Sequence, residues 1–138
     1  MSNVLAETWT VAKPAVESSG GVVTSQHYLA SEVGARVLAQ GGNAMDAAVA
    51  TSFALGVVEP WMSGLGGCAF MVTYSAAHDK TYVLESGVRS PLAVDPADYP
   101  LSTGFDSDLF NWPGVPDNRN VMGPWSVAVP GLVAGLDA

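Results

Sequence analysis

The chain has 138 residues, 49% of them apolar and only 13% charged, with thirteen acidic residues against five basic ones and a net charge of −8. This composition excludes a disordered tail, which would be polar and highly charged. The five bases, Lys13, Arg36, Lys80, Arg89 and Arg119, are scattered, so no basic patch is available to neutralise phosphates and a nucleic-acid partner is not expected. The length suits one ordinary domain with a core of its own. A single cysteine, Cys68, excludes a disulfide framework. The N-terminus has neither the positive charge nor the apolar run of a signal peptide. The stretch Ala44 to Val58 falls short of the roughly 18 apolar residues of a membrane span. A soluble, cytoplasmic protein is the expectation.

In chain order, residues 1–19 read as a lead-in and residues 20–138 as the domain. Gly20-Gly21 punctuates, and Val22-Val23-Thr24-Ser25 predicts a short β-branched strand buried on both faces. From His27 the period becomes helical. Leu29, Val33 and Val37 fall on one face, with Glu32 and Arg36 four apart on another. Gly41-Gly42 predicts the helix end. Asn43 then caps a second helix, with Asp46 in its first turn. This helix, Ala44 to Val58, is apolar nearly all round and is expected to be buried. Glu59-Pro60 stops it.

The glycine loop Ser63-Gly64-Leu65-Gly66-Gly67 follows a helix and opens a strand. A phosphate loop has the reverse order, so close backbone packing is the expected role. Cys68 to Tyr74 and Thr81 to Leu84 read as two strands of a hairpin turning at Ala76 to Lys80. The segment Asp95 to Gly123, broken by prolines, is expected to be either a functional surface loop or poorly ordered. Trp125 to Val129 is a last strand candidate, and Pro130-Gly131 introduces a short helix, Leu132 to Ala138.

Few side chains suggest chemistry by themselves. Cys68 lacks a nearby base in the sequence and is expected to be a small buried hydrophobe. His27 and His78 are too few and too isolated for a metal site, and Asp106 and Asp108 suit a solvated loop face better than a cation. Arg89 stands apart. It follows a strand in Glu85-Ser86-Gly87-Val88-Arg89-Ser90-Pro91, where a guanidinium can hold a carboxylate with two parallel hydrogen bonds. Pairing with Glu85 as an ordinary surface residue is the alternative.

The order of these pieces is more specific than any one of them. Val22-Val23-Thr24-Ser25, His27 with Leu29-Ala30-Ser31-Glu32, and Gly41-Gly42-Asn43-Ala44-Met45-Asp46-Ala47-Ala48-Val49-Ala50 resemble the γ-glutamyltransferase family. So do Leu55-Gly56-Val57-Val58-Glu59-Pro60, Ser63-Gly64-Leu65-Gly66-Gly67, Phe70-Met71-Val72, Val127-Ala128-Val129-Pro130-Gly131 and Ala134-Gly135-Leu136. The resemblance runs from about Gly21 to the end of the chain.

The resemblance implies a mixed α/β (α+β) fold: the N-terminal-nucleophile hydrolase sandwich of helix, sheet, sheet and helix, represented here by its N-terminal part. Family precursors are several times longer and cleave themselves into a large and a small subunit. A threonine freed at the start of the small subunit attacks the amide, its own α-amine serving as base. The implied partners are therefore a small amide substrate and the remainder of the same precursor, with no cofactor and no metal. None of Thr8, Thr10, Thr24, Thr51, Thr73, Thr81 and Thr103 matches that nucleophile.

In the family, an arginine after a strand pairs with the substrate's α-carboxylate, within a pattern of acidic residue, aromatic, Arg, Glu, any residue, Ala and Pro. Laid on Pro91 without gaps, the arginine position is Gly87. Arg89, two residues on, leaves the same face of an extended strand and is the candidate substrate-binding residue. This departure opens a second expectation, an amidohydrolase of the oxamate-cleaving or cephalosporin-acylase type. A third, of another class, is an inactive stand-alone binding or assembly module.

Overall fold

The computed structural model describes residues 14–105 and 111–138. Two helices come first, α1 (Tyr28–Ala39) and α2 (Ala44–Val58), then an antiparallel hairpin of β1 (Ala69–Ser75) and β2 (Lys80–Ser86), and finally α3 (Leu132–Asp137). Residues 1–13 of the expected lead-in, and Asp106 and Asp108, lie outside the described residues.

Local chemistry sets the helix boundaries. His27 caps α1, its ring Nδ1 accepting the Leu29 amide at 3.2 Å. At the other end Gly41 takes a positive φ of 93°. The Gly41 amide donates to the Leu38 carbonyl and the Gly42 amide to the Val37 carbonyl, each at 3.0 Å. This paired closure depends on a left-handed residue, which glycine supplies without strain. Asn43 then opens α2 with a capping box: its side chain accepts the Met45 and Asp46 amides, while the Asp46 carboxylate accepts the Asn43 amide at 2.8 Å. Glu59 ends α2 as expected.

The helices pack through small residues rather than through the predicted apolar stripe. Ala30 and Gly34 of α1 are buried, and so are Ala47 and Thr51 of α2, whereas Leu29 is exposed. A Cβ on Gly34 would meet Thr51 Oγ1, would lie 2.9 Å from Val23 Cγ1 and would lie 3.1 Å from the Ala47 carbonyl oxygen. Thr51 is tolerated there because its hydroxyl donates to the Ala47 carbonyl at 2.7 Å, which satisfies the buried polar group. The expected burial of α2 all round is not met. Phe53 and Val57 are exposed, because α1 covers one side and no described element covers the opposite one.

β1 and β2 pair in register, Met71 opposite Leu84, Val72 opposite Val83 and Thr73 opposite Tyr82. One face carries half-buried Met71, Thr73 and Leu84, turned toward the helices. The Thr73 hydroxyl donates to Met45 Sδ of α2 at 2.8 Å. The other face carries exposed Phe70, Val72, Tyr74 and Val83. The Tyr74 hydroxyl donates to the Asp79 carboxylate at 2.8 Å, which raises the tyrosine above its ordinary pKa.

Two predicted strands do not form. Val22 to Ser25 belongs to no sheet, and Trp125 to Val129 begins as a 3-10 turn, Pro124–Ser126, and makes one isolated bridge, Arg89 with Val129. A strand needs a neighbour along its length, and neither segment has one among the described residues. The proline-broken segment contains short 3-10 turns at Pro96–Asp98 and Pro116–Asn118 and a bridge between Phe105 and Pro113.

Candidate functional site

The site is built where β2 ends. Beyond Ser86 the chain passes Gly87 and Val88 and reaches Arg89, whose backbone is fixed against Val129. The Arg89 amide donates to the Val129 carbonyl at 3.0 Å, and the Val129 amide donates to the Arg89 carbonyl at 2.7 Å. Immediately after Val129, Pro130 and Gly131 turn the chain into α3.

α3 sits close against this corner because two glycines allow it. A Cβ on Gly131 would lie 2.5 Å from the Gly87 carbonyl oxygen and 2.6 Å from that of Ser86. A Cβ on Gly135 would collide with the side chain of Ser86. The Ser86 hydroxyl is already committed, donating to the Ala69 carbonyl at 2.9 Å. The glycine loop completes the corner, as the Gly67 carbonyl accepts the amides of Gly131 at 3.2 Å and Leu132 at 3.1 Å. The loop therefore serves backbone packing, as its order in the sequence implied.

The corner encloses a cleft of about 420 Å³, lined on one side by Glu85, Gly87 and Arg89 and on the other by Val129, Gly131 and Ala134. Gly87, where the family pattern would set an arginine, and Arg89 thus border one space. Arg89 and Glu85 are both among the residues that line it. Arg89 is exposed and makes no ion pair with Glu85 or any other described residue. Nor do Glu32 and Arg36 form an ion pair among the described residues.

The remaining candidates are not brought here. Cys68 is exposed rather than buried, because the strand begins one residue later, at Ala69. His27 is committed to capping α1, and His78 lies in the hairpin turn, 3.1 Å from the Ser75 hydroxyl. No group of three or more histidine, cysteine or acidic side chains among the described residues could hold a metal ion. No described helix is long and apolar enough to cross a membrane. Gly131 and Gly135, which shape the cleft, stand in the sequence as parts of the runs Val127 to Gly131 and Ala134 to Leu136 that carry the family resemblance, not as packing residues. Their signal was the run Pro130-Gly131 with Gly135 one helical turn on.

Comparison with known proteins gives a consistent result. The family model described as Gamma-glutamyltranspeptidase matches residues 30–138. The chain is 42% identical over 120 residues to a glutathione hydrolase proenzyme of Bacillus subtilis subsp. natto, an alignment covering 85% of this chain and 19% of that relative. It is 38% identical over 123 residues to the acylase ACY 1 proenzyme of Pseudomonas sp. (strain V22), covering 89% of this chain and 21% of that relative. Among solved structures, it resembles the gamma-glutamyltranspeptidase of Helicobacter pylori with a TM-score of 0.70 and 35% identity, over 90% of this chain and 33% of that one. The chain thus spans about a fifth of the length of the curated relatives it matches.

Proposed function

Because the chain belongs to the gamma-glutamyltranspeptidase family, we propose that it is the opening part of the large subunit of an amide-cleaving enzyme that hydrolyses or transfers a γ-glutamyl group. The observation that carries this is the family match over residues 30–138, in register with a cleft that has Arg89 beside the family's arginine position. Residues 20–138 are then the first portion of a larger four-layer N-terminal-nucleophile domain preceded by the lead-in 1–19. The partner of this portion is the rest of its own precursor. That partner supplies the threonine nucleophile, so the 138 residues alone carry no catalytic group and are inactive. Exposed apolar side chains on the outer hairpin face and on α2 support the proposal, since an enclosing domain would cover them.

Arg89 holds the substrate's carboxylate in this reading. A guanidinium is suited to that task because its planar fork makes two parallel hydrogen bonds. A second reading is an acylase-type or oxamate-cleaving amidohydrolase. It is favoured by Gly87 at the family's arginine position and by the similarity to the Pseudomonas acylase.

The test is the reading frame that continues past Ala138. Expressed whole, it is expected to cut itself into two subunits at a threonine and to release the chromophore from a γ-glutamyl anilide. A continuation without such a threonine, or an uncut and inactive product, would refute the enzyme and leave the stand-alone module. A processed enzyme that ignores the γ-glutamyl anilide but hydrolyses a carboxylate-bearing acyl amide would establish the second reading.

A further inference from the structure

Arg89 borders a second cleft as well, and the walls of that cleft are aromatic. This space of about 320 Å³ is lined by Arg89, Pro91, Tyr99, Asn120, Trp125 and Val127, among others. Its volume is at the lower end of the range of small-molecule sites. Arg89 therefore stands on the partition between two clefts, with its backbone clamped to Val129 on the chain that carries Trp125.

The aromatic wall is held in place. The Tyr99 ring meets the Trp125 indole edge-on, with centroids 6.3 Å apart and planes at 74°. The Tyr99 hydroxyl donates to the Trp125 carbonyl at 2.8 Å. The Arg119 guanidinium lies 6.0 Å from the indole centroid and is itself tied to the Asp98 carbonyl at 3.1 Å and the Asp117 carboxylate at 3.2 Å. The charge of Arg119 is thus spent on Asp117 and on the indole face. Arg89 has no such partner among the described residues. Trp125 nevertheless remains 53% exposed, so the indole is a fixed, accessible plate beside an uncompensated cation.

The composition of the wall decides what fits. No Asp or Glu lines this cleft, unlike its neighbour, which has Glu85. A ligand's ammonium group would find no opposite charge here, whereas a carboxylate would find Arg89 and an apolar body would find Tyr99, Trp125 and Val127. We propose that this second cleft is a selectivity pocket for a carboxylate ligand that lacks an ammonium group and carries a flat apolar body. The proposal rests on Arg89 being a carboxylate anchor, as argued above, and adds the aromatic wall.

Nuclear magnetic resonance of the 15N-labelled 138-residue chain carrying Val72→Lys and Val83→Glu, two substitutions on the outer hairpin face and away from this cleft that keep the chain monomeric, tests both parts. The probes are acetate, phenylacetate, phenylacetamide and phenylalanine. Phenylacetate is expected to shift the Trp125 indole N–H, identified by its loss in Trp125→Phe, and the Arg89 amide, while the Trp61 indole stays in place. It should bind about tenfold or more tightly than acetate, because ring stacking adds to the ion pair, and by a similar factor more tightly than phenylacetamide and phenylalanine. Arg89→Gln should reduce phenylacetate to the level of phenylacetamide. Acetate binding at Arg89 as tightly as phenylacetate would keep the anchor and overturn the aromatic pocket. Phenylalanine binding as tightly as phenylacetate would overturn the exclusion of the ammonium group. Phenylacetamide binding as well as phenylacetate, or no shift with any probe, would overturn the anchor and the pocket together. The probe comparisons are made within this one background, so they hold whether or not Arg89→Gln or Trp125→Phe folds.

Discussion

At the scale of single residues, Arg89 and Glu59 carry the clearest consequences. Arg89 is fixed by its backbone and free at its guanidinium, an arrangement that leaves the charge available to a ligand. In the full-length parent, Arg89→Ala is expected to raise KM for a carboxylate-bearing amide about tenfold to a hundredfold, the loss of one charge-assisted hydrogen-bonded pair. Steady-state kinetics decides it, since unchanged KM and kcat would remove Arg89 from the site. Arg89→Lys should recover part of the loss, because the charge returns without the fork. Glu59 presents a different case. Its Oε2 is buried without a hydrogen-bond partner among the described residues, and it sits at the C-terminus of α2, where the helix dipole disfavours negative charge. Glu59→Gln keeps the shape and removes the charge, so it is expected to stabilise the chain by about 1 kcal/mol. Thermal unfolding would show this as a higher Tm, and an unchanged or lower Tm would show that the buried carboxylate is not destabilising.

At the scale of elements, what was legible in the sequence was what is local. The ends of α1 and α2 follow from His27, Gly41-Gly42, Asn43 with Asp46, and Glu59-Pro60, all within a few residues of the boundary they set. The hairpin was legible because its turn and both strands are contiguous. Val22 to Ser25 and Trp125 to Val129 were read as strands because β-branched composition suits a strand, but a strand is completed by a distant neighbour that composition does not name. Arg89 stands out in the sequence as a residue type after a strand, but its backbone clamp on Val129 and its two clefts do not, since both depend on contacts about forty residues away in the chain. Gly34 is the sharpest case. Helix propensity alone favours alanine over glycine by about 1 kcal/mol, yet a Cβ at this position meets Thr51 Oγ1 and the Ala47 backbone. Gly34→Ala is therefore expected to destabilise the helix pair by about 1–3 kcal/mol, and Gly34→Ala with Thr51→Ala to recover part of it. Denaturant unfolding of the single and double variants measures this, and a stabilised single variant would show that propensity outweighs the crossing contact.

At the scale of the whole molecule, the described residues bury little. Ala30, Ala47, Val115 and Leu136 are the buried apolar residues among them, all small or single members of separate contacts. The helix pair and the hairpin are linked by the Thr73–Met45 hydrogen bond across an apolar space of about 840 Å³. The outer hairpin face sets Val72, 73% exposed, directly across from Val83, 72% exposed. An isolated two-stranded sheet with an apolar face and two unpaired edges is a template for association. The 138-residue chain studied alone is accordingly expected to self-associate through this face at concentrations of about 10–100 µM, the range in which exposed apolar surface and strand edges drive aggregation. Val72→Lys with Val83→Glu replaces the apolar pair by an opposite-charge pair at the same register, which is compatible with the strand pairing. That double variant should sediment as a monomer where the unaltered chain does not. In the full-length parent the same double variant should impair folding or self-processing, because the face that opposes association in the isolated chain would then be buried charge against the rest of the domain. Sedimentation velocity of the short chain and the subunit pattern of the parent read the two arms separately. A short chain that stays monomeric without the substitutions, or a parent that processes normally with them, would show that this face is an ordinary solvent surface.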